Sequence, residues 1–315
     1  MFLKRIKIEY WVKLSIIIPV YNGKIFIESF ANAINKQTVK NDNYELIIID
    51  NGSTDASIII LEKYFKKLNN VIILPYINKQ SSYAARNYGV SRANGNILAF
   101  TDIDCIPSDN WIESIFNHSH LIQSNFLISG KIKLFPKKKY FNVFEMYDNL
   151  VSLDQAKYAK KKMGTTANLM ISKENFNYIG KFKNVISGGD GEFCNRATLA
   201  GIKFKYIDKI IIYHPARSSL KSLIIKAKRI GKGWAELQCL NTNIIKKILL
   251  ILKTLISVLL PKNSFKLVKK VINSSCSNSK DLINIGCLIV VIYYIGTIER
   301  ISKIRGLTQC IEKKH

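Results

Sequence analysis

The chain has 315 residues, 48% of them apolar, with 48 Lys and Arg against 22 Asp and Glu. The apolar fraction excludes a disordered polycation, and the length suits one large domain or two ordinary ones. The charge of +26 suggests nucleic acid, but 40 of the basic residues are Lys and only eight are Arg. Arg is the side chain that binds phosphates and bases through two parallel hydrogen bonds. We therefore expect no nucleic-acid partner.

The charge is concentrated towards the C-terminus. Residues 221–315 hold 18 basic and four acidic side chains, and they also contain the longest apolar runs. Basic and apolar character together indicate an anionic membrane surface as a partner. The stretch Met1–Val12 lacks the features of a signal peptide, which favours the cytoplasm. The six cysteines show no metal-binding spacing, and we expect reduced thiols.

The first hundred residues alternate between strands and helices, which predicts βαβ units and a largely parallel sheet. The predicted strands are Leu14–Val20, Glu45–Asp50, Val71–Leu74 and Asn96–Thr101, and the predicted helices are Ile25–Gln37, Ile58–Leu68 and Tyr83–Asn94. Further on, the pattern is mixed over 126–186. A Gly-rich turn at Ser187–Gly191, a helix at Glu192–Ala200 and a strand at Lys203–Tyr213 follow. We divide the chain into a catalytic domain, 1–235, and a basic, apolar helical tail, 236–315.

Three of the predicted strands end on polar residues. These are Tyr21-Asn22, Asp50-Asn51 and the Asp102-Ile103-Asp104 segment. Parallel strands present their carboxyl ends at one edge, where such sheets bind ligands. Asp102 and Asp104 are two positions apart and share one side of an extended chain, which suits Mg²⁺ or Mn²⁺. A pair of turn or capping aspartates is the other interpretation of this short motif.

Six stretches together carry a family resemblance. They are SIIIPVYNG (15–23), IDNGSTD (49–55), AARNYGVSRANGNILAFTDIDCIP (84–107), TTANLMIS (165–172), SGGDGEF (187–193) and YHPAR (213–217). In this order they resemble a family 2 glycosyltransferase with the GT-A fold, a Rossmann-like, mixed and mostly parallel sheet flanked by helices. The resemblance implies inverting transfer of a sugar from a UDP-, GDP- or dTDP-sugar to a glycan or lipid-linked acceptor, in surface polysaccharide, lipopolysaccharide or glycolipid synthesis. The alternative is an inactive GT-A-like binding or scaffold protein at the membrane.

The resemblance also implies roles for single residues. Pro19, Tyr21 and Asn22 match the loop that lines the donor's base, and Asp50 matches the carboxylate that hydrogen-bonds this base. Arg86 matches an arginine of the nucleotide pocket, and Asp102 the first aspartate of the DxD motif, which faces the ribose and the metal.

For the reaction centre, the resemblance implies that Asp104 ligates Mg²⁺ or Mn²⁺, that His214 approaches the metal or diphosphate, and that Asp190 is the catalytic base. A carboxylate can accept the proton that the acceptor hydroxyl loses. For Asp190, capping of the next helix remains open as an alternative role. For His214, the alternative is a structural histidine at a strand end whose hydrogen bonds are already satisfied.

Asn51 and Gly189 depart from the family pattern, which usually has Asp at the first of these positions and Glu at the second. Glu192 is expected at the helix start. Asn168 and the aromatic stretch Tyr140–Tyr147 fall on the family's acceptor side, and most of these aromatics are expected in the core.

Two segments of the tail could contact a membrane. Lysines interrupt the apolar stretch Ile244–Leu260, as in an amphipathic helix at an interface. Leu282–Ile298 has no charge over 17 residues, which is short for a membrane span, and both of its flanks are basic. We favour monotopic or re-entrant attachment at the cytoplasmic face of the cell membrane over a single span, with a soluble helical cap as the third alternative.

Overall fold

The computed structural model describes residues 13–39, 43–78, 81–261, 264, 267–269 and 279–312, with side chains from 285 onward in the last stretch. Met1–Val12 and Cys276 lie outside these residues. The strands are β1 Leu14–Val20, β2 Tyr44–Asp50, β3 Val71–Pro75, β4 Ile97–Phe100, β5 Ile106–Pro107, β6 Phe126–Phe135, β7 Leu169–Ser172 and β8 Lys203–Pro215. The helices are α1 Ile27–Asn35, α2 Ser57–Phe65, α3 Ser82–Arg92, α4 Trp111–Phe116, α5 Ser119–Asn125, α6 Val143–Val151, α7 Gln155–Ala159, α8 Lys173–Ile179, α9 Gly189–Leu199, α10 Leu220–Asn241, α11 Ile244–Leu259 and α12 Ser279–Glu312.

The strands form one mixed sheet in the order β3-β2-β1-β4-β7-β6-β8-β5. The four predicted strands β1 to β4 are confirmed and pair in parallel, whereas β7 lies antiparallel to both β4 and β6. Side chains of β1 alternate between two cores. Ile16 and Ile18 face the core that includes α1 and α2, and Ile17 faces the core that includes α3 and α9. Burial on both faces explains why β1 is continuously apolar. The predicted α/β fold is confirmed.

The short strand β5 joins two distant parts of the chain. It pairs antiparallel with the end of β8, so that Ile106 lies opposite Tyr213 and Pro107 opposite Ile212. This pairing carries the DxD segment, which precedes β5, to the end of β8. Residues more than 100 positions apart in the sequence therefore meet at the same edge of the sheet.

The tail packs on the rest of the protein. Leu223 and Ala227 of α10 form an apolar cluster with Val291 and Ile295 of α12, and α6 packs against it. Helix α10 continues through position 235, where we divided the chain. Close packing brings the Cα atoms of Cys239 and Cys310 to 6.3 Å, and the two thiols form a disulfide. Our expectation of reduced thiols is wrong for this pair, because sequence spacing does not show which helices lie side by side.

Candidate active site

A cavity of about 470 Å³ opens at the carboxyl edge of the sheet. Four of the predicted site residues line it: Arg86, Asp102, Asp190 and His214. The remaining walls come from α6, α10 and α12 and the segment before β7. Pro19, Tyr21, Asn22, Asp50 and Asp104 do not line this cavity. Four of the predicted side chains therefore share one chamber, whereas the others lie at the ends of β1 and β2 and, for Asp104, between β4 and β5.

Arg86 and Asp102 form an ion pair between α3 and the end of β4. The Arg86 side chain is 3% exposed, and its Nε has no hydrogen-bond partner among the described residues. A buried guanidinium needs charge compensation, which Asp102 provides. Asp102 is about one-third exposed and keeps part of its carboxylate open to the cavity.

Asp104 and His214 are the pair that β5 brings together. Asp104 Oδ2 lies 3.4 Å from His214 Nε2. Burial acts to raise the pKa of Asp104, but His214 and Arg217 outweigh it and hold this pKa below its usual range. Burial acts to lower the pKa of His214, and the Asp104 carboxylate raises it above its usual value. Each side chain therefore favours the charged form of the other.

The donor atoms at this edge fit a divalent cation. Ligand atoms of Asp104, Cys105 and His214 all lie within 4.8 Å of one another. His214 Nδ1 lies 2.8 Å from the carbonyl of Pro215, which can only accept, so Nδ1 carries a proton and Nε2 points at Asp104. A carboxylate oxygen and an imidazole nitrogen suit Mn²⁺, and the carboxylate also suits Mg²⁺.

Asp190 lies in the first turn of α9 and faces the cavity. Its Oδ1 accepts hydrogen bonds from the hydroxyl of Tyr83 at 3.2 Å and from the backbone N–H of Gly191 at 2.9 Å. Burial raises the pKa of Asp190, against the opposing effects of the Gly191 N–H, Arg86 and Tyr83. A carboxylate with a raised pKa is a better proton acceptor than an ordinary one. The Asp190 side chain makes no capping hydrogen bond to a later turn; the N-cap is Gly188.

Tyr83 also explains one departure from the family pattern. A Cβ atom on Gly189 would lie 2.9 Å from the Tyr83 ring, so the aromatic side chain occupies the space of a residue at 189. Glu192, the other acidic residue of this turn, forms an ion pair with Arg196 at 2.7 Å. Arg196 in turn donates hydrogen bonds to the carbonyls of Ile179 and Lys181. Glu192 therefore helps hold the segment before α9 in place.

The loops after β1 and β2 are bound to each other. Asn22 Oδ1 accepts a hydrogen bond from the backbone N–H of Thr54 at 2.8 Å. Asp50 is 2% exposed, its Oδ2 accepts from the Ser53 N–H, and its Oδ1 has no partner among the described residues. This second oxygen is free to accept from a ligand N–H. Asn51 is buried and braces the segment before α3 by accepting from the Ser81 N–H.

Two further polar residues hold the framework of the site. Asp148 of α6 is fully buried and forms ion pairs with Lys226 at 2.8 Å and with Arg217 at 3.4 Å. Burial opposes ionisation, but these two cations lower the pKa of Asp148 to about 2. Asn168, which we placed on the acceptor side, is also fully buried. It accepts from Trp111 and donates to the carbonyls of Lys131 and Ile210, so its hydrogen bonds join strands.

Helix α12 forms a wall of the cavity that the sequence did not reveal. Its lining residues are Ile292, Ile295, Gly296, Glu299, Arg300 and Lys303. Tyr147, from the aromatic stretch of the sequence, lines the same chamber, whereas Tyr140 is exposed. One signal was present in the composition. The chain has eight arginines, and four of them line the cavity: Arg86, Arg217, Arg229 and Arg300.

Comparisons with known proteins agree with this geometry. The sequence profile of glycosyl transferase family 2 matches residues 15–210, and the chain belongs to this family. Glycosyltransferase AglE of Haloferax volcanii is 32% identical over 250 residues, which cover 79% of this chain and 81% of that protein. A poly(ribitol-phosphate) beta-glucosyltransferase of Bacillus spizizenii is 34% identical over 123 residues, 39% of this chain but only 19% of that protein. The protein is a glycosyltransferase.

Solved structures show the same fold. A mannosyltransferase of Pyrobaculum calidifontis, in complex with GDP-Man and Mn²⁺, superposes with a TM-score of 0.63 at 14% identity, over 98% of this chain and 89% of that one. Residues 1–349 of S. aureus TarS, in complex with UDP, superpose with a TM-score of 0.52 at 16% identity, over 96% of this chain and 92% of that one. The GT-A fold predicted from the sequence is confirmed.

Proposed function

We propose that this enzyme transfers a sugar, with inversion, from a nucleoside-diphosphate sugar to an acceptor hydroxyl, and that Asp190 is the general base. The observation that carries this proposal is the chamber shared by Asp190, Arg86, Asp102 and His214. It holds one carboxylate with a raised pKa close to cationic groups. Direct displacement needs a single carboxylate base and no carboxylate nucleophile.

The donor site includes Pro19, Tyr21, Asn22, Asp50, Arg86 and Asp102 in this proposal. The free Oδ1 of Asp50 accepts from the donor's base, and Arg86 and Asp102 lie on the side of the ribose and diphosphate. Asp104 and His214 hold Mg²⁺ or Mn²⁺. When bound, the cation stabilises the negative charge of the departing nucleoside diphosphate. The neighbour's GDP-Man and Mn²⁺ support this class of donor and metal.

The test is a transfer and hydrolysis screen over UDP-, GDP- and dTDP-sugars with Mn²⁺ or Mg²⁺. We expect Asp104→Ala to abolish metal-dependent nucleotide release. We expect Asp190→Asn to lower transfer by about 10²–10⁴-fold, the usual contribution of a general base. Glu192→Gln is the matched control, because it changes the other carboxylate of the same turn. Full transfer in Asp190→Asn would refute the assignment of the base.

We further propose that the tail attaches the enzyme to an anionic membrane at its cytoplasmic face, where surface glycans are assembled. Among the described residues, Ile285–Glu312 is long and apolar enough to cross a membrane, and 22% of its most apolar window is buried.

Helix α11 gives stronger support for attachment to a membrane. Lys247 and Thr254 are its buried residues, whereas eight apolar side chains are exposed: Ile244, Ile245, Ile248, Leu249, Leu252, Leu255, Ile256 and Leu259. Such a face is stable against lipid, and we favour interfacial attachment over a span. Two relatives by sequence, glycosyltransferase AglE and the poly(ribitol-phosphate) beta-glucosyltransferase, are named as glycosyltransferases, which supports a role in glycan assembly.

A further inference from the structure

The C-terminal part of α12, residues 299–312, is attached to the protein differently from the part before it. Up to Ile298, the apolar side chains of α12 lie in two clusters that also include residues of α6 and, in one of them, of α10. Beyond Ile298, Leu307 is the only apolar side chain of α12 that is buried among the described residues. Residues 299–312 therefore have little apolar packing of their own.

Two non-covalent contacts join this part of α12 to the last turns of α10. A Cβ atom on Gly306 would lie 2.6 Å from the Cβ of Ala235, so the two helices touch there with very little side chain between them. The Nζ of Lys303 lies 5.5 Å from the ring centre of Trp234, a cation–π contact that is weak where solvent has access.

The covalent link between the two helices is the disulfide Cys239–Cys310. Each cysteine lies two residues before the end of its helix, Cys239 in α10 and Cys310 in α12. Glu299, Arg300 and Lys303 line the active-site cavity, and they lie between the end of the apolar clusters and Cys310. The disulfide therefore holds the far end of a cavity wall whose other contacts are few.

The disulfide is placed where its redox state can change. Cys239 and Cys310 are both half-buried, so that a reductant has access to the sulfur atoms. We place the enzyme at the cytoplasmic face of the membrane, where thiols are kept reduced and disulfides serve mainly in catalysis or redox sensing. Neither cysteine lines the cavity, which leaves redox sensing as the role that fits.

We infer that the Cys239–Cys310 disulfide is a reversible redox switch: when oxidised it holds residues 299–312 against α10, and when reduced it releases them and transfer falls. A cytoplasmic dithiol is the reductant. One of its thiolates attacks a sulfur of the pair, the bond between Cys239 and Cys310 breaks, and the second thiol of the reductant resolves the mixed disulfide. Two electrons and two protons pass to the pair, which leaves two cysteine thiols and an oxidised reductant. The effect on transfer rests on the proposed function, whereas the release of α12 does not.

The test compares the full-length enzyme in its oxidised form, after reduction with dithiothreitol, and after reoxidation with glutathione disulfide. A thiol count on each sample shows whether the bond is broken. Hydrogen–deuterium exchange followed by mass spectrometry gives a readout that needs no substrate. We expect reduction to speed amide exchange in 299–312 at least about tenfold, because local opening becomes easier, and to leave β1 unchanged. Transfer from the donor found in the nucleotide-sugar screen should fall severalfold, and reoxidation should restore both values.

Cys310→Ser should behave like the reduced enzyme, with or without dithiothreitol. Cys287→Ser is the matched control, because Cys287 is a free, exposed cysteine on the same helix, and this variant should respond to reduction like the wild type. The comparison of the wild type with itself keeps the test valid even where a serine variant does not fold.

Three results would overturn the inference: a broken bond with unchanged exchange in 299–312, faster exchange with unchanged transfer, or a folded Cys310→Ser enzyme that still responds to dithiothreitol. Failure of the oxidised wild type to use any nucleotide sugar would instead refute the proposed function. The exchange data would then still decide whether the disulfide holds α12.

Discussion

The hydroxyl of Tyr83 on α3 donates a hydrogen bond to Asp190 on α9, and the two residues are 107 positions apart in the chain. Tyr83 is 5% exposed, and burial raises the pKa of its hydroxyl, so it stays protonated and can only donate to the carboxylate. The bond favours the ionised form of Asp190, while burial of the carboxyl disfavours it. Tyr83 thus sets how readily the proposed base accepts a proton.

Replacing Tyr83 by Phe should change the pH dependence of transfer. The variant loses a hydrogen bond to the ionised carboxylate, so the pKa of Asp190 rises further. A general base acts only when deprotonated, and the acidic limb of kcat/KM should therefore move to higher pH, with the largest loss of rate at low pH. Thermal unfolding of each sample checks the fold. An unchanged acidic limb at reduced kcat would contradict the role of Tyr83.

The buried pairs of Asp148 should contribute more to stability than to chemistry. Asp148→Asn leaves Lys226 and Arg217 without their carboxylate, and breaking a buried ion pair typically costs about 3 kcal/mol or more. We expect the midpoint of urea unfolding to fall accordingly, because the link between α6 and α10 is weakened. Asp208→Asn, an exposed change on β8, provides the comparison. Equal stability of the two variants would show that the ion pairs do not hold these helices.

Close contact between α10 and α12 depends on glycine. A Cβ atom on Gly231 would lie 2.5 Å from the backbone oxygen of Glu299, whereas one on Gly286 would meet nothing within 4 Å. Gly231→Ala should push α12 away from α10 and lower transfer at least about tenfold, because α12 forms one wall of the cavity. Gly286→Ala should retain full activity. Limited proteolysis of both proteins would show whether α12 has loosened, and wild-type activity in Gly231→Ala would contradict this packing argument.

Membrane attachment should depend on the exposed face of α11. We expect Leu252→Gln combined with Ile256→Gln to reduce flotation with vesicles that contain phosphatidylglycerol, because each change removes about 1.5–3 kcal/mol of burial in the interface. Leu199→Gln alters an apolar residue of α9 that is 78% exposed and serves as the control. Equal flotation of the double variant and the wild type at high salt would exclude α11 as the attachment site.

The sequence was sufficient to predict strands and helices where the local residue pattern agrees with the long-range structure. Strands β1, β2 and β4 are apolar runs that end on polar residues, so the prediction that these ends meet at one edge of the sheet followed from parallel pairing. The segment from Phe126 to Ile186 gave no clear period, because β6 changes from consecutive buried positions in its first half to half-buried and exposed ones in its second, and β7 has only four residues. The start of α9 was placed three residues late, since Gly189 and Gly191 resemble a turn.

The site was predictable only in part, for a similar reason. Motifs pointed to Asp190 and His214, but the contacts of Tyr83 and Arg300 depend on which helices pack together. Neither residue has a distinctive neighbour in the sequence. Asn168 illustrates the opposite case, because it lies within a motif and yet its amide is fully used in joining β6, β8 and α4.

The steric exclusion between Gly189 and the Tyr83 ring links two positions that are far apart in the chain. Position 189 cannot take a larger residue while Tyr83 is in place, since such a residue needs a smaller one at 83. Related chains should therefore show covariation between them, with a small residue at one position wherever the other is bulky. Gly189→Glu should inactivate the enzyme, and adding Tyr83→Ala should restore part of its activity. The two residues would then evolve as a single unit that shapes the turn around Asp190.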